Sequence, residues 1–308
     1  MERTLIVGAE SVVGANLCVH WSPRFEVAAV SPRSISLSGC QVLPNPGSRR
    51  SPETLLAEVQ PDVVVYCGPE SRSPWEAAHS GPIEADAESA AAWASAARDA
   101  GAAHVHLSSD AVFTGPWMFH DEASECFCPS PSSRAIRLVE DAVSERHPEA
   151  CIVRTHAFGW SPDSRAGWLE VLLSTIEARR PLGLDAVRHA TPMLATDLAD
   201  VLEAMLAGGL TGTFHVAGAE RVSPMGLAQR LASQFNLPWI PSGRDRALTE
   251  PPHGFGAGEC SLQTKKIRGE LCRAMPLLSE SLDRLEAQQI NGHRERLSPN
   301  ATVQLRAA

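Results

Sequence analysis

Leu5-Ile6-Val7-Gly8-Ala9-Glu10-Ser11-Val12-Val13-Gly14 is the stretch that decides the fold. The apolar run Leu5 to Val7, extended back to Thr4, reads as a short strand. Gly8 supplies a tight turn, and Val12–Trp21 reads as a helix whose close approach to the strand is eased by Gly14. A strand, a glycine turn and a helix N-terminus together present backbone N–H groups to a pyrophosphate. The spacing Gly8-x-x-Ser11-x-x-Gly14 carries serine where a middle glycine would give a phosphate the closest approach. Serine is small and can donate a hydrogen bond. Gly8, Ser11, Val12 and Gly14 are therefore the expected dinucleotide contacts; the competing reading is a plain strand-to-helix turn.

Outward from this turn, strand-like and helix-like segments alternate. Phe25–Val30, Asp62–Cys67, His104–Leu107 and Cys151–Arg154 are strand-like, and Pro52–Val59, Glu84–Ala100 and Arg134–Glu145 helical, with Gly101 as a C-cap. Apolar strands separated by helices argue for a parallel sheet covered on both faces. The fold class expected is α/β, a Rossmann-type doubly wound parallel sheet. After about residue 160 the pattern changes. Trp168–Ala178 and Asp197–Ala207, the latter capped by Thr196, are helical, Thr213–Val216 is strand-like, and Ser223-Pro224 opens another helix. These build a smaller lobe. Residues 240–260 read as loops, and 291–308 as a flexible tail.

The chain has 308 residues, 44% hydrophobic and 20% charged, with a net charge of -9. That acidity argues against a nucleic-acid partner. No segment reaches the length of a membrane span, and no secretory leader is evident, so a cytoplasmic protein is expected. The eight cysteines are scattered. Cys126 and Cys128 lack the second pair a zinc site needs, so no metal is expected.

His106-Leu107-Ser108-Ser109-Asp110-Ala111-Val112-Phe113-Thr114-Gly115 is the most specific motif. It resembles the strand end of the dTDP-4-dehydrorhamnose reductases, extended short-chain dehydrogenases that reduce a nucleotide-linked keto-sugar with NAD(P)H. Pro61–Gly68, Ala85-Asp86-Ala87, Val153-Arg154-Thr155, Arg188–Pro192, Gly212–Gly218 and Ser261–Lys265 resemble further landmarks in the same order. The resemblance implies a dinucleotide-binding core over 1–160 and a substrate-binding lobe over 161–290, with strand returns to the core. It implies NADP or NAD as cofactor and a nucleotide-sugar as ligand. Cys67 and Gly68 would flank the cofactor, and Ser109 would polarise the substrate carbonyl. Ser108, Glu122, Arg188 and His189 would meet the substrate, the arginine suiting a diphosphate. Two positions depart from the family around the cofactor: Tyr66 and Asp86 stand where it has asparagines.

The family's proton donor is a tyrosine assisted by a lysine four residues later. Here that segment reads Ser132-Ser133-Arg134-Ala135-Ile136-Arg137. In one register the pair is Ser132 and Ile136; in the other it is Ser133 and Arg137. Tyr66 is the sole tyrosine, and Lys265 and Lys266 are the sole lysines, so no Tyr-x-x-x-Lys exists. His120 and His156 are the candidate substitute donors. Arg33, after the second strand, is placed to meet a 2′-phosphate or to be a solvated surface group. Three readings follow. The chain is a non-catalytic or regulatory protein that binds NAD(P), a nucleotide-sugar or both, a reductase or epimerase with a substitute proton donor, or a scaffold with an empty cleft. Assembly with itself or with a partner enzyme is left open.

Overall fold

The computed structural model describes residues 2–44, 50–76, 81–162, 167–182, 184, 187–240, 256 and 258–299. In chain order the first elements are β1 (Arg3–Val7), α1 (Val12–Trp21), β2 (Glu26–Ser31), β3 (Gln41–Pro44) and α2 (Pro52–Val59). Then come β4 (Val63–Tyr66), α3 (Asp86–Asp99), β5 (Ala103–Ser109), α4 (Pro131–Arg146), β6 (Cys151–Thr155) and β7 (Ala157–Phe158). The remainder comprises α5 (Trp168–Glu177), β8 (Met193–Leu194), α6 (Ala195–Ala207), β9 (Gly212–His215) and α7 (Pro224–Gln234). It closes with α8 (Lys265–Leu271), α9 (Leu278–Ile290) and α10 (His293–Leu297).

Seven strands form one sheet in the order β3-β2-β1-β4-β5-β6-β9, every neighbouring pair parallel. Strand alternation feeds two cores. Ile6, Val65, Leu107 and Val153 face α1 and α6, whereas Leu5, Val7, Val64 and Ile152 face α2, α3 and α4. Burial on both sides explains why these strands read as continuous apolar runs. The chain reverses direction across the sheet between β1 and β4, the switch point outside which open α/β sheets hold their ligands. No helix among the described residues is long and apolar enough to cross a membrane.

Several details correct the sequence reading. Thr196 is not the cap of α6: that helix starts at Ala195 behind Leu194, and Thr196 Oγ1 accepts from Gln288 Nε2 at 2.9 Å. Helix α4 starts earlier than expected, because Ser130 Oγ accepts from the Ser133 N–H and Pro131 fills the first turn. Helices α8 and α9 were not anticipated. The tail is not wholly flexible: α10 packs on α1, with Leu297 fully buried and His293 Nε2 2.9 Å from Asn16 Oδ1. The expectation for 300–308 lies outside the described residues, as does much of the predicted 240–260 loop. Within residues 161–290, β9 joins the sheet and α6 lies across α1, and a single apolar cluster runs through both parts.

Candidate ligand-binding and active site

The glycine turn is built for close backbone approach. Gly8 has φ +85°, and a Cβ there would lie 2.0 Å from Cys67 O; one at Gly14 would lie 2.5 Å from Gly8 O. Gly8 N and Ala9 N both donate to Val30 O, pinning the turn to β2. Ser11 caps α1: its Oγ accepts from Gly14 N at 3.0 Å and donates to Gly8 O at 2.8 Å. The serine therefore uses its hydroxyl on the turn itself and takes only one of the helix's terminal N–H groups, leaving a first turn, Val12 included, that suits an anion. The conformation and the close strand–helix contact fit a dinucleotide diphosphate. The sequence reading missed Glu10 and Arg72. Glu10 Oε1 stands 4.0 Å from Arg72 Nη2, so a carboxylate and a guanidinium border the same turn. Only their position in the fold brings them together.

At the end of β5, Ser109 Oγ accepts from Ala111 N at 3.1 Å and lies 3.3 Å from Asp110 Oδ1. The other carboxylate oxygen of Asp110 accepts from His156 Nδ1 at 2.9 Å, and His156 Nε2 lies 3.0 Å from Ser73 Oγ. Trp75 packs its ring 4.4 Å from the imidazole. The structure thus joins two predicted residues, Ser109 and His156, through Asp110. Asp110 was visible in the quoted motif without its role being evident; Ser73 gave no signal. His156 is fully enclosed with both ring nitrogens bonded, so the bare imidazole is not itself presented to a ligand.

Ser108, one residue earlier, points to the opposite face. Its Oγ donates to Glu140 Oε1 at 2.6 Å, and Arg154 grips both oxygens of Glu140. Arg154 Nη1 lies 3.4 Å from His215 Nε2, His215 Nδ1 donates to His120 O, and His215 N donates to Glu122 Oε1. Burial, with Arg154 alongside, pushes the His215 imidazole down to about 3. Ser108 and Glu122, expected at the substrate, are spent on this interior network. His120, expected as a donor, is likewise committed: Nδ1 pairs with Ser124 Oγ, Nε2 with Glu259 O, and the ring stacks on Phe113 at 4.7 Å. Burial also lowers its pKa, which favours the neutral ring.

No phenol reaches this region. Ser133 Oγ is fully buried and donates to Ala111 O at 2.6 Å; Ile136 is fully buried; Arg137 lies over the Phe127 ring. Tyr66 is enclosed in β4 and donates to Ser89 Oγ, and burial beside Glu70 pushes its phenol up. Lys266 Nζ donates to Thr213 O at the far end of β9. Asp86 Oδ2 accepts from Ile83 N in its own turn.

Of the remaining predicted residues, Arg33 is exposed, its N–H donating to Ser31 Oγ. Cys67 is buried, and burial raises its thiol pKa well above the usual range, which makes it inert. Gly68 lies tightly under Glu70 and Tyr66. Arg188 is half-buried, and the half-buried His189 donates from Nδ1 to Val187 O at 2.8 Å. A cavity of about 750 Å³ beside α8 and α9 is lined by Phe119, Thr264, Arg268, Arg273 and Arg284, and by none of the predicted site residues.

Comparison with known proteins matches residues 2–247 to the RmlD substrate binding domain. The chain belongs to the RmlD family. One relative is the probable low-salt glycan biosynthesis reductase Agl14 of Haloferax volcanii, 27% identical over 248 residues, covering 76% of this chain and 79% of that protein. Another is the methionine adenosyltransferase 2 subunit beta of Rattus norvegicus, 27% identical over 211 residues, covering 64% of this chain and 61% of that one. Among solved structures, dTDP-4-dehydrorhamnose reductase from Bacillus anthracis in complex with NADP superposes with a TM-score of 0.72 at 19% identity, covering 93% of this chain and 99% of that one. The Bordetella bronchiseptica enzyme WbmH in complex with NAD+ superposes at 0.71 with 13% identity, covering 95% and 100%. These likenesses establish the Rossmann-type fold inferred from the glycine turn.

Proposed function

We propose that this RmlD-family chain binds NAD(P) and a nucleotide-sugar, and that it serves in binding or regulation rather than conventional reduction. The observation that carries this is the missing proton donor. The family's tyrosine and lysine positions hold half-buried Ser132 with buried Ile136 in one register, or buried Ser133 with stacked Arg137 in the other, and the one tyrosine is sealed in β4. Support for cofactor binding comes from the Gly8–Gly14 turn and from relatives of the same fold that hold NADP or NAD+. One relative is named as a subunit of another enzyme, which supports association with a partner enzyme.

A bound nicotinamide supplies or takes a hydride. The chain's own contribution would be to hold the diphosphate at the first turn of α1, to seat a carbonyl at Ser109, and to present Arg188 and His189 toward the ligand. A second reading, a reductase or epimerase with a substitute proton donor, is favoured by one observation: Ser109 and His156 share the carboxylate of Asp110.

Titration with NADPH and NADH, followed by cofactor fluorescence, tests both. No binding at about 1 mM cofactor, an interaction weaker than about 4 kcal/mol, removes both readings. Binding without oxidation across a panel of keto-sugar nucleotides supports the first; oxidation supports the second.

A further inference from the structure

We propose that Ser73, His156 and Asp110 form an acid–base unit whose Ser73 hydroxyl exchanges its proton with a ligand seated beside Ser109. The proposal rests on the second reading above. Asp110 and His156 follow directly on the C-terminal ends of the adjacent strands β5 and β6, and Ser73 lies in the loop that leaves β4, the next strand in the sheet. His156 Nδ1 is 2.9 Å from Asp110 Oδ2, and Nε2 is 3.0 Å from Ser73 Oγ. The side chains of His156 and Asp110 have no exposure, whereas Ser73 is 6% exposed and so is the end of the chain nearest to solvent. The carboxylate fixes the imidazole tautomer by accepting from Nδ1–H and stabilises the positive charge that forms when Nε2 takes a proton. Asp110 also accepts from the Ser109 hydroxyl, so one carboxylate anchors both arms of the site.

The geometry of the Ser73 hydroxyl gives the unit two states. A hydroxyl has one donor and two acceptor directions. Trp75 N–H already fills one acceptor direction of Ser73 Oγ, at 3.2 Å. With a neutral imidazole, the Ser73 proton points to Nε2. With a protonated imidazole, Nε2–H fills the second acceptor direction, and the Ser73 proton must turn to a third group. As negative charge grows on a ligand oxygen, the Ser73 proton passes to it and the Nε2 proton passes to Oγ. The Oγ–H bond broken is remade from Nε2, one O–H bond forms on the ligand, and the imidazole ends neutral. The reverse sequence withdraws a proton from a ligand hydroxyl. The ligand class is a carbonyl or its alcohol, as in a keto-sugar. Ser73 is the candidate catalytic residue; His156 and Asp110 are positioning residues.

Diisopropyl fluorophosphate on the full chain tests the unit without any cofactor. An Oγ–P bond forms at Ser73, the P–F bond breaks with loss of fluoride, and the proton passes to His156 Nε2. The expected result is an adduct on the peptide carrying Ser73, absent in Ser73→Ala, partly retained in Ser73→Thr, and about 10⁴-fold slower to form in Asp110→Asn. No adduct, an adduct elsewhere, or an Asp110→Asn rate equal to the parent's in a variant with an unchanged melting temperature overturns the proposal. With NADPH and keto-sugar nucleotides, Ser73→Ala should lower kcat by about 10²- to 10⁴-fold at constant KM, with partial rescue by Ser73→Thr. An unchanged kcat overturns the proposal. A chain that labels at Ser73 but never consumes NADPH keeps the acid–base unit and overturns the reductase reading.

Discussion

Arg154 holds Glu140 at two points, Nε to Oε1 at 2.9 Å and Nη2 to Oε2 at 2.6 Å, with both side chains at most 10% exposed. Buried ion pairs gain little over an apolar pair, but stripping one partner leaves an uncompensated charge. Arg154→Ala or Glu140→Ala should therefore each cost about 3–5 kcal/mol. Replacing both, as Arg154→Met with Glu140→Leu, should cost far less than the sum. Urea denaturation of the three variants checks this, and additive losses would contradict it.

His215 faces that same guanidinium through Nε2, so protonating it sets two cations together. Its folded pKa, about 3, lies below the unfolded value of about 6.5. Between those limits the unfolded chain binds more protons than the folded one. Stability should fall as pH drops from 6.5 toward 3, by up to about 1.4 kcal/mol per pH unit from this residue. His215→Gln keeps a donor and an acceptor and cannot titrate. The difference between its stability–pH curve and the parent's should slope across that window and be flat above pH 7.

Glu10 places a carboxylate at the turn proposed to hold the cofactor diphosphate. Two anions so close oppose each other, and Arg72 offsets them in part. Glu10→Gln should tighten NADPH binding about tenfold, equivalent to about 1.4 kcal/mol. Arg72→Ala should weaken it. Calorimetric titration at low salt would show both effects, and equal affinities would move the diphosphate away from Glu10.

Ile136 is packed with Ala111, Val112 and Phe113. Ile136→Lys, the change that would restore the family lysine in one register, buries a charge whose neighbouring carboxylate one turn on, Glu140, is already held by Arg154. A loss of about 3–5 kcal/mol is expected in thermal or urea unfolding. A variant as stable as the parent would show that the helix can rotate this position to solvent.

The sheet was legible because its strands are buried on both faces and its turns carry glycine. Val63–Tyr66 and Leu5–Val7 admit little else. Helix α8 was not legible, because its seven residues carry a single buried apolar side chain, Ile267; α9 does carry a local signature, with Leu278, Leu282 and Leu285 at i, i+4 and i+7. The site divided the same way. Gly8, Gly14 and Ser109 announce themselves by local pattern. Ser73 and Arg72 do not, because they matter only through residues brought to them by the fold. Ser108 and Glu122 show the converse: each has an interior partner, Glu140 or the His215 N–H, that no local pattern reveals.

His293 closes on Asn16, which also donates to Val12 O and Trp160 O. Asn16 lies two residues beyond Gly14, in the helix that starts at the glycine turn. The far end of the chain is therefore latched to the first turn of that helix, and whatever steadies the turn also steadies α10. Hydrogen exchange at residues 293–297 should therefore slow when a dinucleotide occupies Gly8–Gly14, and unchanged exchange would show that the Asn16–His293 contact carries no such coupling.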